Sequence, residues 1–152
     1  MTAAGAIRAG VDVLTLAVAD LPRAVAFYRD GLGLPSAGIV GEEFVGDEEN
    51  AGGAAAMFRL DGGLILMLYP DLAKDAGIPP AAPTSGAFSI GQLVASRDDV
   101  DAILDRAAVA GGAVTAPPRE RPWGIYSGYF HDPDGHLWEI IWNPRMLPDG
   151  AS

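Results

Sequence analysis

The two halves of this chain contain the same pattern, in which two apolar runs flank a tight turn. Residues 57–68 have this pattern around Asp61-Gly62, and residues 130–142 have it around Asp134-Gly135. An Asp-Gly pair between two apolar runs predicts a β-hairpin. Asp134 follows Asp61 by 73 residues, about half of the 152-residue chain. The repeat therefore predicts two similar modules.

Each half also begins with a strand that leads into a helix. Residues 11–18 are apolar and β-branched, and the helix after them begins at Asp20 with a proline in its first turn. In the second half, a strand over residues 87–95 precedes a helix that begins at Ser96. We predict an α+β fold of two βαβββ modules in tandem, which form a curved mixed sheet around a cavity with the helices outside. The predicted boundaries are an N-terminal extension at 1–10, a first module at 11–69, a Pro-rich connector at 70–85, a second module at 86–143 and a C-terminal tail at 144–152.

Three other segments have a composition typical of loops. Residues 41–53 are acidic and contain several glycines, which predicts a mobile loop. The connector contains four prolines, and we expect a single helical turn within it at 71–76. Residues 113–116 are predicted to be a short strand, and the proline-rich residues 117–122 a loop that leads to the last hairpin.

Composition excludes several classes of function. The formal charge of −10 disfavours contact with a phosphate backbone, so we expect no nucleic-acid partner. The same charge keeps a protein soluble or attracts cationic ligands. The absence of cysteine excludes disulfides and thiolate metal sites. No apolar run reaches the ~18–20 residues that span a membrane, and residues 1–10 lack a secretory pattern, so we expect no membrane partner and a cytoplasmic location.

Two motifs carry a resemblance to a known family. Residues 18–33 read VADLPRAVAFYRDGLG, which resembles a V-x-D-L opening followed by F-Y-x-x-x-L-G. Residues 130–139 read FHDPDGHLWE, which resembles the last hairpin of the same family. The chain thus resembles the vicinal oxygen chelate superfamily, also called the glyoxalase/bleomycin-resistance/extradiol-dioxygenase superfamily. The resemblance spans residues 11–142 and implies the paired-module fold.

The resemblance also implies where a metal would be held. Metal-dependent members use His and Glu side chains from four strands, and the last of these matches Glu139. The other positions correspond to Val13, to Leu66 (or Met67 if the register slips by one) and to the start of the second module near Ser89. A catalytic Zn²⁺ or Fe²⁺ site generally needs three or more protein ligands. We therefore expect no metal cofactor, whether Zn, Ni, Fe or Mn.

The two histidines do not replace the missing ligands. His131 and His136 flank the last turn. Glu139 follows His136 by three positions, which places those two side chains on opposite faces of a strand. We interpret both histidines as surface residues of the turn. Glu139 itself leaves two alternatives open. It either pairs with an arginine or faces solvent at a dimer surface, or it lines a cavity and meets a polar or cationic ligand.

Aromatic residues are concentrated around the last hairpin, and all three tryptophans lie there. Most aromatic side chains in such a position pack in a core, but some line ligand pockets. Phe58 and Met67 are candidates from the opposite wall, and Trp123 precedes the hairpin at the expected mouth. The candidate ligand-binding residues are Glu139, Trp123, Tyr126, Phe58, Met67 and Trp138.

Three functions remain open. The first is a metal-free homodimer that binds a small cationic or aromatic molecule in its cavity, as antibiotic-sequestering members of the superfamily do. The second is a metal-dependent glyoxalase-type lyase or extradiol dioxygenase, or a metal-free enzyme with Glu139 as general base. The third is a non-catalytic interaction module.

Overall fold

The computed structural model describes residues 5–80 and 86–148. It confirms two βαβββ modules in tandem. The strands are β1 Val13–Leu16, β2 Ile39–Val40, β3 Ala55–Arg59, β4 Ile65–Leu68, β5 Ile90–Leu93, β6 Ala113–Glu120, β7 Tyr126–His131 and β8 Leu137–Trp142. The helices are α1 Leu21–Val25, continued by a π-helical segment at Ala26–Gly31, then α2 Leu72–Ala76 and α3 Arg97–Val109. Short 3₁₀ turns lie at Asp61–Gly63 and Pro122–Gly124.

The strands form two four-stranded mixed sheets. The first sheet has the order β1-β4-β3-β2, and the second sheet has the equivalent order β5-β8-β7-β6. The pairs β1/β4 and β5/β8 are parallel, and the other neighbours are antiparallel. Within the described residues the two sheets are not joined by strand pairing, so β1 and β5 are edge strands.

The two main helices begin at the residues that the sequence predicts. The Asp20 carboxylate accepts a hydrogen bond of 3.0 Å from the Arg23 amide, and the Ser96 hydroxyl accepts one of 3.1 Å from the Asp99 amide. Each bond satisfies an amide that has no partner in the first helical turn. The first helix departs from the prediction after Val25, where it widens into the π-helical segment that carries Tyr28. That segment inserts Tyr28 fully into the core.

One hydrophobic core joins the two modules. Alternate residues of each sheet, together with one side of α1, the π-helical segment and α3, form a continuous cluster. Phe27 of the first module packs against Phe130 of the second, with ring centroids 6.3 Å apart. We call the other side of each sheet its open face, because none of the helices in the described part of the chain packs on it. The largest fully buried side chains of the core are Tyr28, Phe27, Phe58, Phe130, Leu16, Leu66, Leu68, Leu104 and Ile140.

The loop predicted at residues 117–122 is wrong for its first four residues. Strand β6 continues through Pro117 and Pro118 to Glu120. Proline has no amide hydrogen to donate, but β6 is an edge strand and its register shifts twice against β7, between Val114 and Ala116 and between Ala116 and Arg119. An edge strand with such irregularities accommodates proline.

The connector and the acidic loop contact each other. Helix α2 confirms the helical turn predicted at 71–76, whereas residues 81–85 of the predicted connector lie outside the described residues. The Asp71 carboxylate accepts a hydrogen bond of 2.7 Å from the Gly52 amide, and the Tyr69 hydroxyl donates one of 2.8 Å to the Gly52 carbonyl. Residues 41–53 contain no helix or strand, and these two bonds attach the loop to Tyr69 and Asp71 at the start of the connector.

Candidate functional site

Glu139 lies in the middle of β8, on the open face of the second sheet. Its neighbours across the sheet are Gly91 of β5 and Tyr129 of β7. The residues before and after it, Trp138 and Ile140, are buried in the core on the other face. Alternation along the strand thus directs the Glu139 carboxylate away from the core.

The carboxylate of Glu139 is part of a hydrogen-bonded chain. The Ser127 hydroxyl donates a hydrogen bond of 2.8 Å to Oε2 of Glu139. The same hydroxyl oxygen accepts a bond of 2.6 Å from Nε of Arg121, and Nη2 of Arg121 donates one of 3.3 Å to the Ser127 carbonyl. Ser127 is fully buried, whereas Arg121 and Glu139 are half-buried. The buried hydroxyl therefore connects a cation and an anion.

An aromatic ring completes this arrangement. The guanidinium carbon of Arg121 lies 5.2 Å from the centre of the Tyr129 ring, a distance at which a cation and a ring attract each other. Burial raises the pKa of the Tyr129 hydroxyl above its usual value, and hydrogen bonding to Glu139 and the charge of that residue raise it further, while Arg121 acts in the opposite direction. We call Arg121, Ser127, Tyr129 and Glu139 the polar cluster.

The structure fixes which residue of the first module corresponds to Glu139. The first hairpin closes with a bond of 2.9 Å from the Leu60 amide to the Leu64 carbonyl, and the last hairpin closes with one of 2.9 Å from Asp132 to His136. These equivalent pairs match Met67 with Glu139. Met67 is paired with Met57 and Thr15 on the open face of the first sheet, whereas Leu66 is fully buried on the other face.

The donor set does not fit a divalent metal. The positions that the family uses as ligands hold Val13, Met67, an exposed Ser89 beside β5, and Glu139. Of these only Glu139 offers a ligand that Zn²⁺, Ni²⁺, Mn²⁺ or Fe²⁺ prefers in proteins. Within residues 5–80 and 86–148, no group of three or more His, Cys, Asp and Glu side chains is close enough to hold a metal ion.

His136 directly precedes β8 and lies on the opposite face from Glu139, whereas His131 shares the open face of the second sheet with Tyr129 and Glu139. The Nε2 atom of His136 is 2.7 Å from the Ala17 carbonyl, so this histidine joins the last turn to the end of β1. Nearby, Oδ1 of Asp134 accepts bonds of 2.8 Å from the Ala19 amide and 3.2 Å from Arg23. The last turn is therefore a contact between the modules rather than a free surface turn.

Two of the predicted ligand-binding residues lie in the core. Phe58 is fully buried, and Trp138 is 6 % exposed and donates a hydrogen bond of 3.0 Å to the Tyr28 hydroxyl. Trp138 borders a cavity of about 690 Å³ between the two sheets, which has mainly apolar walls and does not include Glu139. Both side chains are thus separated from the polar cluster by the thickness of a sheet.

Tyr126 also lies on the helix side of the second sheet. Its hydroxyl donates a hydrogen bond of 2.6 Å to Asp101 of α3, and the guanidinium of Arg97 lies 5.1 Å from the centre of its ring. Its neighbour in the strand, Ser127, faces the other way and contacts Glu139. The partners of Tyr126 are therefore helix residues rather than members of the polar cluster.

Trp123 lies at the tip of the turn between β6 and β7, and 75 % of its surface is exposed. Its backbone has a φ of 71°, in the left-handed region, and Arg145 lies 6.0 Å from the centre of its ring. The turn closes with a bond of 2.7 Å from the Arg121 amide to the Ile125 carbonyl. Trp123 therefore follows, by two residues, the arginine of the polar cluster.

The open face of the first sheet is apolar and exposed. Val13 is 47 % exposed, Val40 47 % and Met57 45 %, and they adjoin Thr15 and Met67 on neighbouring strands. Apolar side chains from three strands of the first sheet are therefore exposed together on this face.

Sequence reasoning missed Arg121, and it did not assign Ser127 and Tyr129 to a site. Strand alternation already indicated that Ser127 and Tyr129 share a face, which was the available signal. The contact of Arg121 with Ser127 crosses a turn of six residues, and no periodic pattern in the sequence indicates it.

The comparison with known families decides the classification. The sequence model of the Glyoxalase/Bleomycin resistance protein/Dioxygenase superfamily matches residues 10–140. The chain belongs to this superfamily. A comparison with functionally curated proteins finds no significant match. In the described residues, no helix is long and apolar enough to cross a membrane.

Solved structures share the fold over most of their length. A glyoxalase-related enzyme from Fulvimarina pelagi is 26 % identical with a TM-score of 0.75, and the match covers 95 % of this chain and 96 % of that one. A glyoxalase/bleomycin resistance protein/dioxygenase from Nocardioides is 22 % identical with a TM-score of 0.67, covering 98 % and 93 %. A family enzyme from Burkholderia phytofirmans PsJN is 16 % identical with a TM-score of 0.64, covering 86 % and 96 %. At identities of 22 % and 16 %, the likeness concerns the fold alone.

Proposed function

We propose that this protein binds a small organic molecule without a metal, on the open face of the second sheet. The observation that carries the proposal is the hydrogen-bonded chain from Arg121 through Ser127 to Glu139. In metal-dependent relatives the last Glu would bind the ion. Here the carboxylate is already engaged by a buried hydroxyl, and the corresponding positions of the other strands carry aliphatic, thioether or hydroxyl side chains.

The binding site is completed, in this proposal, by a second copy of the chain. The helix sides of the two sheets share one core, so the open faces of a single chain point away from each other. An enclosed cavity at the polar cluster therefore requires that the open face of one second sheet meets the apolar open face of another copy's first sheet. Met57, Met67 and Val13 would then form the wall opposite the polar cluster.

The exposed apolar side chains on the open face of the first sheet, Val13, Val40 and Met57, support a homodimer. The edge strands β1 and β5 also carry backbone groups that a second copy could pair.

The ligand proposed from the sequence is cationic or aromatic. The net charge of −10 supports attraction of cations from a distance. Tyr129 and Trp123 supply aromatic surface at or near the polar cluster, and these features are compatible with sequestration of an antibiotic. Phe58, Tyr126 and Trp138 are left out of the proposed site, since they lie on the helix side of their sheets. The cytoplasmic location and the absence of nucleic-acid and membrane partners remain predictions from composition.

An alternative function is a lyase or dioxygenase. It is favoured by the solved structure from Fulvimarina pelagi, which is described as a glyoxalase-related enzyme and is 26 % identical to this chain. That chemistry uses a metal to hold neighbouring oxygens. The donor set described above does not fit the metal.

Two titrations separate the two functions. Calorimetry measures the binding of Zn²⁺, Ni²⁺, Mn²⁺ and Fe²⁺ to the dialysed protein. Tryptophan fluorescence then measures the binding of a panel of aromatic cations. We expect no stoichiometric metal binding and a saturable response to at least one organic compound. Glu139→Gln should weaken that response, whereas Glu43→Gln, which removes the same charge from the exposed acidic loop, should not. Tight metal binding that Glu139→Gln abolishes would contradict the proposal and favour the enzyme.

A further inference from the structure

The guanidinium of Arg121 lies near Glu139 in the polar cluster, and its charge limits the kind of ligand that fits. Nε of Arg121 and Oε2 of Glu139 contact the same Ser127 hydroxyl oxygen at 2.6 and 2.8 Å. The two charged groups are therefore no more than about 5.4 Å apart. A ligand group that approaches Glu139 also meets the field of Arg121.

Arg121 keeps donors for a ligand. A guanidinium has five N–H groups, and Ser127 takes one from Nε and one from Nη2. The stacking on Tyr129 and the two bonds to Ser127 hold the guanidinium in one orientation. The remaining N–H groups suit a carboxylate or carbonyl oxygen, since a preorganised guanidinium loses little freedom when it binds a planar acceptor.

Glu139 keeps acceptor capacity in the same way. Ser127 occupies one position on Oε2, and an ionised carboxylate has about four lone-pair positions. The Tyr129 hydroxyl, whose pKa is raised by burial and by its hydrogen bond to Glu139, takes up a second position on this carboxylate, and the other lone pairs are left for a ligand. The cluster thus presents an acceptor and donors side by side.

We infer that the polar cluster recognises a ligand group with an acceptor and a donor next to each other, such as the zwitterionic amino-acid group, attached to an apolar or aromatic body. The inference rests on the proposed function and narrows its ligand class. A purely cationic group is attracted by Glu139 and repelled by Arg121, and a purely anionic group meets the opposite combination. A group that carries both satisfies both residues at once. Tyr129 and the apolar open face of the second copy's first sheet accommodate the body.

Three probes that share one aromatic ring test this selectivity. Phenylalanine carries the ammonium and the carboxylate, 2-phenylethylamine only the ammonium, and 3-phenylpropionate only the carboxylate. Each is titrated into the full-length protein at neutral pH, with ligand-detected NMR to measure the affinity. We expect phenylalanine to bind at least tenfold more tightly than either single-charge probe.

Two variants and one control assign the selectivity to the cluster. Arg121→Gln should abolish the preference for phenylalanine over the amine, and Glu139→Gln should abolish the preference over the acid. Arg119→Gln is the matched control, since Arg119 lies in β6 two residues before Arg121, is exposed and makes no side-chain hydrogen bond or ion pair within the described residues. The control should retain the wild-type ratio. Thermal melts verify that each variant is folded.

The outcomes separate this inference from the proposed function. If the amine binds best and Arg121→Gln strengthens its binding, the ligand is a simple cation, and the inference is wrong while the binding function holds. If none of the three probes binds but the aromatic cations of the panel under Proposed function do, the inference is also wrong while the binding function holds. If none of these compounds binds the wild-type protein, both the inference and the proposed function are wrong.

Discussion

The hydroxyl of Tyr28 donates a hydrogen bond of 2.6 Å to Oδ2 of Asp132 and so joins the first helix to the last turn of the chain. Oδ1 of the same carboxylate accepts bonds of 2.9 and 2.8 Å from the amides of Asp134 and His136. Asp132 is 4 % exposed, so its charge depends on these donors. The two family motifs, which lie at opposite ends of the sequence, therefore contact each other in the structure.

Tyr28→Phe should destabilise the protein, because it removes a donor from a buried carboxylate and leaves the Trp138 indole without its acceptor. Hydrogen bonds to charged groups contribute about 1.5–3 kcal/mol, and we expect a loss of that size in the free energy of unfolding. Urea denaturation followed by circular dichroism measures it. Tyr69→Phe, which removes a half-buried hydroxyl bonded to the Gly52 carbonyl, is the control and should lose less. Equal losses in both variants would contradict a special role of the Asp132 contact.

The same tyrosine should make the fold sensitive to alkali. Burial, followed by the charge and hydrogen bond of Asp132, raises the pKa of Tyr28 well above its usual value of 10.0. Above that pH the unfolded chain releases the proton while the folded chain retains it, so the contribution is complete below pH ~10 and is lost as the pH rises. The loss reaches at most about 1.4 kcal/mol per pH unit for one group.

Denaturation between pH 8 and 11 checks this expectation. All four tyrosines have raised pKa values, so the quantity of interest is the difference between the wild type and Tyr28→Phe. The variant should lose stability less steeply above pH ~10. Parallel curves for the two proteins would show that Tyr28 ionises normally.

The start of each helix could be predicted from the sequence, because the signals are local. Asp20 and Ser96 each bond an amide three residues ahead, a contact that depends on no other part of the chain. The full length of strand β6 could not be predicted, since Pro117 and Pro118 indicate a loop locally. It is the position of β6 at the sheet edge that tolerates them.

Strand alternation located half of the candidate site. It placed Glu139 and Trp138 on opposite faces of β8, and Ser127 and Tyr129 on the same face of β7, as the structure has them. Alternation alone does not say which face is covered by helices. For that reason the sequence also favours Trp138 and Phe58 as ligand-binding residues, although both lie in the core.

Met57→Lys should dissociate the proposed homodimer. Met57 lies on the open face of the first sheet and is 45 % exposed in the single chain, so a lysine there is tolerated by the monomer. In the proposed dimer Met57 belongs to the wall opposite the polar cluster, so the ammonium would lose most of its hydration at the interface. Sedimentation over a range of concentrations should show a dimer for the wild type and at least a 100-fold weaker association for the variant, equivalent to about 2.7 kcal/mol.

Val109→Lys is the control for this substitution, because Val109 is 90 % exposed at the end of α3 on the helix side. It should leave the association unchanged. A wild type that sediments as a monomer at all concentrations would refute the dimer directly. An unaffected Met57→Lys dimer would show that the interface lies elsewhere.

Trp123 occupies a backbone conformation that favours glycine. It has a φ of 71°, and Gly124 after it has a φ of 74°. Among the described residues Trp123 is the one non-glycine residue with a positive φ. An L-residue in this conformation is strained by about 1–2 kcal/mol. Glycine avoids the strain, but its greater freedom in the unfolded chain offsets part of that advantage.

Trp123→Gly should therefore be more stable than Trp123→Ala by about 1 kcal/mol. Both variants lose the contact with Arg145, so the difference between their free energies of unfolding measures the backbone strain. If Trp123 contributes an aromatic surface to the ligand site, both variants should weaken ligand binding equally despite their different stabilities. If Trp123 has no part in the ligand site, ligand binding should be unchanged in both variants.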